Sequence, residues 1–145
     1  SDKSNTPNVT GSQSQPAAAG TLLADHDYFD FGRISMKDGL VRHMFSVQNN
    51  GAQPLNIEKM YTSCMCTEAT IKHGGKSHGP YGMPGHGFVP KMNEVLGPGE
   101  KAEIEAVFDP NAHGPAGVGK IERAVRLEYA GKSSLDLRFR AEVTP

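Results

Sequence analysis

The sequence predicts an all-β protein, an antiparallel β-sandwich that forms one folded domain. Three observations predict this fold: several segments alternate apolar and polar residues, turn residues separate these segments, and no segment repeats apolar residues at helical spacing. The chain of 145 residues is long enough for one domain and a tail. Glycine at 17 positions and proline at 10 favour short strands joined by turns over long helices.

The first 20 residues differ in composition from the rest of the chain. They consist mainly of small and polar residues, and Val9 is their only large aliphatic residue. Such a segment buries too little apolar surface to offset the entropy lost on ordering. We therefore expect residues 1–20 to be a disordered linker and residues 21–145 to be the folded domain. Linkers of this composition often connect a membrane anchor to a folded head in envelope proteins, but spacers of other kinds have the same composition.

The candidate strands follow the tail in order. The last one is the clearest, because Leu135, Leu137 and Phe139 alternate with charged residues and so place one face on a core. An early strand ends at Gly32, and Asn49-Asn50-Gly51 supplies a turn after the second. The predicted strands cover residues 28–31, 41–48, 55–61, 102–108, 121–129 and 135–143. Six or seven such strands predict a sandwich of immunoglobulin-like size.

One long segment breaks this pattern. Residues 71–96 contain no predicted strand and are rich in His, Met and Gly. Loops of more than roughly 12 to 15 residues in compact domains are usually functional or disordered. We therefore predict a long insert loop over about residues 71–96, directly after the two cysteines of the chain.

The cysteines and this loop predict a metal site. In an extended backbone, Cys64 and Cys66 project to the same side, so two thiolates can converge on one soft ion. Thiolate and thioether ligands favour Cu(I), and two Cys with two His would suit Zn(II) as the alternative. The segment from residue 69 to 93 has no Asp or Glu, which disfavours Ca(II) and Mg(II). The predicted ligands are Cys64, Cys66, His73, His78, Met83 and His86.

Other readings of these residues stay open. The two cysteines could form a strained disulfide and act as a thiol-disulfide reagent, or an electron-transfer copper site could form. A third alternative is an immunoglobulin-like interaction module without metal, whose loop grips a protein partner. Of the remaining histidines, His43 is expected to be half-buried and hydrogen-bonded, and His26 and His113 are expected to be solvated near turns.

Several classes of function are disfavoured. A formal net charge of −1 lacks the basic surface of a dedicated nucleic-acid binder. No apolar run approaches the roughly 20 residues of a membrane span. Motifs for nucleophilic serine, zinc-protease, phosphate-loop and dinucleotide chemistry are absent from the sequence. We therefore predict a protein that is not an enzyme.

Five short motifs occur in a fixed order along the chain. They are Phe29-Asp30-Phe31-Gly32, Asn49-Asn50-Gly51 with Pro54-Leu55, Thr62-Ser63-Cys64-Met65-Cys66-Thr67, Pro98-Gly99-Glu100 and Phe108-Asp109-Pro110. With them, residues 27–145 resemble a family of immunoglobulin-like bacterial cell-envelope domains of unknown function. The resemblance implies a seven-stranded immunoglobulin-like sandwich and an extracytoplasmic, often lipid-anchored, location.

The sequence departs from that family pattern in two places. Met65 stands where the family usually has Gly, and the interval between the cysteines and Pro98-Gly99-Glu100 is enlarged by the His/Met/Gly-rich loop. Both departures add metal ligands near the thiols. The sequence therefore predicts a periplasmic or cell-envelope copper-binding protein, a Cu(I) carrier, chaperone or sequestering protein. Its expected partners are the copper ion and another envelope copper protein.

Overall fold

The computed structural model describes residues 20–85 and 89–145, which form ten strands in two five-stranded sheets. The strands are β1 Leu22–Ala24, β2 Tyr28–Ser35, β3 Val41–Asn49, β4 Leu55–Thr62, β5 Thr67–His73, β6 Lys76–Tyr81, β7 Glu94–Leu96, β8 Lys101–Phe108, β9 Gly119–Tyr129 and β10 Ser133–Thr144. One sheet has the order β1-β3-β8-β5-β6 and the other has the order β2-β10-β9-β4-β7. The all-β prediction is confirmed.

The core lies between the two sheets and follows the predicted alternation. In β10, Leu137, Phe139, Ala141 and Val143 are buried, whereas the side chains that alternate with them are wholly or partly exposed. Phe45 of β3 and Ile104 of β8 supply fully buried side chains from the other sheet. Period-two burial of this kind fixes the register of each strand, since a slip by one residue would turn its apolar face to water.

The helical content of the described residues is limited to two 3₁₀ turns, Met36–Asp38 and Gly114–Gly117. Ser35 caps the first by accepting a hydrogen bond from the Lys37 backbone N–H. Neither turn approaches the length and apolar character that a membrane-crossing helix needs, and the same holds for every helix in this part of the chain.

The structure has ten strands where seven were predicted. Strands β1, β5, β6 and β7 lie outside the six predicted ranges, and β5 is a central strand whose buried face carries only Thr67, Ala69 and Ile71. The other three lie at sheet edges, where β6 has no buried residue and β1 and β7 have three residues each, too few to show a period of two. This is why the sequence pattern did not indicate them.

The predicted loop over residues 71–96 was wrong where strands occupy its two ends. The strand β5 continues to His73, β6 returns antiparallel to it, and β7 occupies residues 94–96. A two-residue turn joins β5 to β6, with φ of +59° at Gly74 and +79° at Gly75. These angles are those of a tight hairpin turn, which the glycines permit and which the sequence analysis interpreted as part of a loop. Among the described residues of this segment, irregular backbone lies between β6 and β7.

The sandwich was predicted to be antiparallel, but one pair of its strands is parallel. Strand β2 pairs with β10 in parallel, with Tyr28 opposite Arg138 and Ser35 opposite Thr144. Hairpin connections enforce antiparallel pairing only between strands joined by short turns, and most of the domain separates these two strands. The predicted linker over residues 1–20 lies outside the described residues except for Gly20.

Candidate metal centre

The two cysteines lie in the turn that carries the chain from one sheet to the other. Strand β4 ends at Thr62 in one sheet, and β5 begins at Thr67 in the opposite sheet. Two backbone registers bring other segments to this turn. Val125 of β9 pairs with Thr62, and Phe108 of β8 pairs with Thr67. One end of the sandwich therefore gathers the β4–β5 turn, the loop after β8 and the middle of β9.

The turn itself is held by short local contacts. The Thr67 N–H donates to the Cys64 carbonyl at 3.1 Å, and the Thr62 hydroxyl lies 2.8 Å from the Thr67 carbonyl oxygen. The Cys66 N–H donates to Cys64 Sγ at 3.3 Å. The backbone here is a turn and not the extended strand end that the sequence predicted, but both thiols are nevertheless brought to one place. Both cysteines are free; Cys64 is half-buried and Cys66 is buried.

A histidine from the loop after β8 completes the group. The Asp109 N–H donates to the Cys66 carbonyl at 2.8 Å, which fixes the start of this loop beside the thiol turn. His113 then places its Nε2 at 3.1 Å from Cys64 Sγ. His113 was expected to be solvated; it is exposed, but its ring also contacts the Cys64 thiol. Its pairing with Cys64 depends on the β5–β8 register, for which the sequence carries no local signal.

The three side chains offer one ligand atom each. The sulfurs of Cys64 and Cys66 and a ring nitrogen of His113 all lie within 4.8 Å of one another, so this group could hold a metal ion. Among residues 20–85 and 89–145 it is the one group of three His, Cys, Asp or Glu side chains whose ligand atoms lie this close together. Two sulfurs with one imidazole nitrogen form a soft donor set.

A positive charge lies beside the sulfurs. Arg123 of β9 donates from Nε to Cys66 Sγ at 3.2 Å, and its Nη1 donates to the Glu122 carbonyl at 2.8 Å, which fixes the guanidinium. Its position follows from the contact of β9 with the thiol turn, where the Ser63 N–H donates to the Ala124 carbonyl at 3.0 Å. Arg123 was not among the predicted site residues, although a signal was present: it is in phase with Ile121 and Val125, on the apolar face of β9.

These neighbours separate the acidities of the two thiols. Burial raises the pKa of the Cys64 thiol, but hydrogen bonds with Cys66 and His113 outweigh that effect and lower it to about 7. Burial and the neighbouring Cys64 raise the pKa of the Cys66 thiol above its ordinary value. Cys64 is therefore partly ionised at neutral pH, and thiolate is the form that binds metals.

The structure places the predicted ligands His73 and His78 away from the thiols. The cysteines precede the first residue of β5, and His73 is its last residue, so the seven-residue strand separates them by about 20 Å. His78 of β6 pairs with Ile71, near that far end. Both histidines contact Glu94 instead, His73 at 2.5 Å and His78 at 2.8 Å.

Two further residues were predicted as ligands, Met83 and His86. Met83 is 49% exposed and lines a cavity of about 380 Å³ with Tyr81 and Pro84. His86 lies outside the described residues. His43 is half-buried, as expected, and its Nε2 lies 2.7 Å from that of His26, which is therefore also partnered.

Part of the chain matches a family model without an assigned function. Residues 22–80 match the model of a family described as "Protein of unknown function (DUF1573)". The match includes both cysteines, and it ends before His113 and Arg123. No curated protein matches the chain.

Solved structures of similar fold support the sandwich architecture. A protein of unknown function from Porphyromonas gingivalis W83 is 17% identical with a TM-score of 0.61 over 90% of this chain, which spans 51% of that protein. The PapD-like domain 7 of human CEP192 is 9% identical with a TM-score of 0.51, covering 90% of this chain and 89% of that domain. At these identities the similarity shows the fold alone, an immunoglobulin-like or PapD-like sandwich.

Proposed function

We propose that the protein binds Cu(I) through Cys64, Cys66 and His113 and carries or sequesters it. The convergence of two free thiols and one imidazole within 4.8 Å supports this proposal. Thiolate ligands favour soft ions, and Cu(I) is the soft ion of the first transition row. The donor set keeps the two cysteines that the sequence predicted and replaces the predicted loop histidines by His113.

The charge at the site favours a monovalent ion. Two thiolates, a neutral imidazole and Cu(I) carry a net charge of −1, which the guanidinium of Arg123 compensates at 3.2 Å from Cys66 Sγ. With Zn(II) the complex of the same ligands has no net charge. The guanidinium of Arg123 then remains as an uncompensated positive charge in a partly buried site. Structural zinc sites also use four protein ligands, whereas three converge among the described residues.

The exposure of the site suits an ion that is exchanged. His113 is exposed, and Met65 between the cysteines is 64% exposed. A partner can therefore approach the ion from outside the sandwich without unfolding it. On this basis we infer a carrier or sequestering role with no catalysis. The resemblance of its motifs to cell-envelope domains supports a location in the periplasm or cell envelope, where another envelope copper protein would give or receive the copper.

The test is an anaerobic Cu(I) titration of the reduced full chain against a chromophoric chelator of known affinity. We expect about one equivalent of Cu(I) to be retained, and the Cys64→Ser/Cys66→Ser double variant to lose it. His78→Gln is the control, because it removes a histidine at the opposite end of β5. If the chelator takes all the copper from the unsubstituted protein, the proposal is wrong. The variant His113→Gln removes the proposed imidazole ligand and should weaken Cu(I) binding. If His78→Gln weakens Cu(I) binding as much as His113→Gln does, the proposed ligand set is wrong.

A second function is favoured by the same two free thiols when no metal is bound. The Cys64 thiolate can attack a disulfide of a partner protein, forming a mixed disulfide and releasing one partner thiolate. The Cys66 thiolate then attacks Cys64 Sγ, which frees the partner as a dithiol and leaves the pair oxidised. Two electrons pass from the cysteine pair to the partner. Equilibration of metal-free protein in glutathione buffers tests this: full oxidation and full reduction at accessible potentials support it, and a pair that stays reduced contradicts it.

A further inference from the structure

A second cluster of metal-binding side chains lies at the far end of β5 from the thiols. His73 ends β5, the Gly74-Gly75 turn reverses the chain, and His78 lies on β6. Glu94 is the first residue of β7, which belongs to the opposite sheet. The two histidines of one sheet therefore meet a carboxylate of the other. We refer to His73, His78 and Glu94 as the His–Glu cluster.

Both imidazoles in this cluster are directed at the same carboxylate. His73 Nδ1 lies 2.5 Å from Glu94 Oε2, and His78 Nε2 lies 2.8 Å from Glu94 Oε1. The Glu94 side chain is only 7% exposed, whereas that of His78 is 40% exposed. The three residues line a cavity of about 420 Å³, which gives an ion a path from solvent to the carboxylate.

A second carboxylate orients His73. Glu100 Oε1 lies 3.2 Å from His73 Nε2, and it also accepts the Gly97 N–H at 2.7 Å. One ring nitrogen of His73 is thus held by Glu100 while the other faces Glu94. A histidine whose second nitrogen is held by a carboxylate is the arrangement that metal-binding histidines usually show, because it fixes the tautomer and makes the ring a stronger ligand.

The charge balance of the cluster favours a cation. Among the described residues, the ion-pair partners of the Glu94 carboxylate are these two histidines, with no Lys or Arg among them. A carboxylate buried to this extent is costly without a compensating charge, and a bound cation can supply that charge. Lys76 lines the same cavity without pairing with Glu94.

We propose that the His–Glu cluster is a second metal site, which takes a divalent ion of the zinc type. Its donors are two imidazole nitrogens and a carboxylate with no sulfur, a set that suits Zn(II) and not Cu(I). In the structure the two imidazole nitrogens contact different oxygens of Glu94. Binding of one Zn(II) by both nitrogens therefore requires the half-exposed His78 ring to move towards His73. Solvent supplies the remaining ligand. The site is separate from the thiol centre and does not depend on the function proposed for it.

The experiment uses the full chain with Cys64→Ser/Cys66→Ser, so that no thiolate contributes. Titration with Zn(II) against a chromophoric chelator should show one equivalent bound, and Co(II) should give weak visible bands without the intense near-ultraviolet band of a cobalt–thiolate bond. His78→Gln in that background should weaken Zn(II) binding at least about 10-fold, and Glu100→Gln should weaken it by about 10-fold or more through the orientation of His73.

The control is His26→Gln in the same background, since the side chains of His26 and His78 are 38% and 40% exposed. Because Glu94 is nearly buried, the affinity of Glu94→Gln is interpreted only if its melting temperature matches that of the parent. The His78→Gln variant decides the test in any case, because the His78 side chain is half-exposed. No Zn(II) binding by the cysteine-free variant overturns the proposal. So does an equal loss of affinity in His26→Gln and His78→Gln.

Discussion

Replacing Arg123 by Gln removes the positive charge beside the thiols and should change which metal the site prefers. The Cu(I) complex of two thiolates and His113 carries one negative charge more than the Zn(II) complex. The same metal-free protein is the reference for both ions, so its protonation state cancels in the ratio of the two affinities. That ratio therefore measures the interaction of Arg123 with one full unit of charge.

The size of the effect follows from the geometry. Arg123 Nε lies 3.2 Å from Cys66 Sγ. Placing the centre of the guanidinium about 4.5 Å from the charge of the complex gives an interaction energy of about 3.7 kcal/mol at an effective dielectric constant of ~20. The site is partly open to solvent, which reduces this to about 1.5–2 kcal/mol, or roughly a 10- to 30-fold fall in the ratio of Cu(I) to Zn(II) affinity.

The assay is a pair of anaerobic chelator competitions, one with Cu(I) and one with Zn(II), on reduced protein at one pH and salt concentration. Arg123→Lys keeps the charge without the planar guanidinium and should retain most of the preference. Arg33→Gln removes a charge whose side chain is 73% exposed, and it should leave the ratio unchanged. A ratio that is the same in Arg123→Gln and Arg33→Gln, with Cu(I) still bound, refutes the charge argument but not the ligand assignment.

Three further outcomes are expected. His113→Gln should lower Cu(I) affinity at least about 10-fold and leave the melting temperature unchanged, because the ring is exposed; unchanged affinity would exclude His113 as a ligand. The hydrogen bond from Arg126 lowers the pKa of Asp136. The stability that the ionised Asp136 contributes is therefore present above the unfolded-state pKa of about 3.9, and it is lost as the pH falls through the lower pKa of the folded state. Urea unfolding at a series of acidic pH values should show a shallower loss for Asp136→Asn than for the parent, and equal slopes would contradict this. Phe139→Ala should cost about 3–5 kcal/mol in urea unfolding, whereas truncation of the 46% exposed Tyr28 should cost far less; similar losses would mean that Phe139 does not pack in the core.

The sequence was informative where structure is local. The alternation of Leu137, Phe139 and Val143 with polar residues predicts a half-buried strand because burial in a sheet has a period of two. The spacing of Cys64 and Cys66 brings their thiols together because one residue separates them, even though the backbone between them is a turn. Such features depend on a few neighbouring residues and need no knowledge of strand pairing.

The remainder of the site depends on contacts that are distant in sequence. His113 reaches Cys64 across 49 residues, and Arg123 reaches Cys66 across 57. The registers of β8 on β5 and of β9 on β4 bring them together, and a single sequence contains no signal for either. The same limit explains why His73 was assigned to the thiols, since its actual partner, Glu94, comes from a strand of the opposite sheet.

The parallel pairing of β2 with β10 affects how the domain can be assembled. Ser35 and Thr144 lie opposite each other, and the Ser35 hydroxyl donates to the Pro145 carbonyl across 110 residues. An early strand of the chain therefore has no sheet partner until the last strand has been synthesised. Contacts of such long sequence separation slow folding, because the entropy of closing the intervening chain is lost before the contact forms. During synthesis the nascent chain holds β2 as an unpaired edge, and the sheet closes only after residue 144 has left the ribosome.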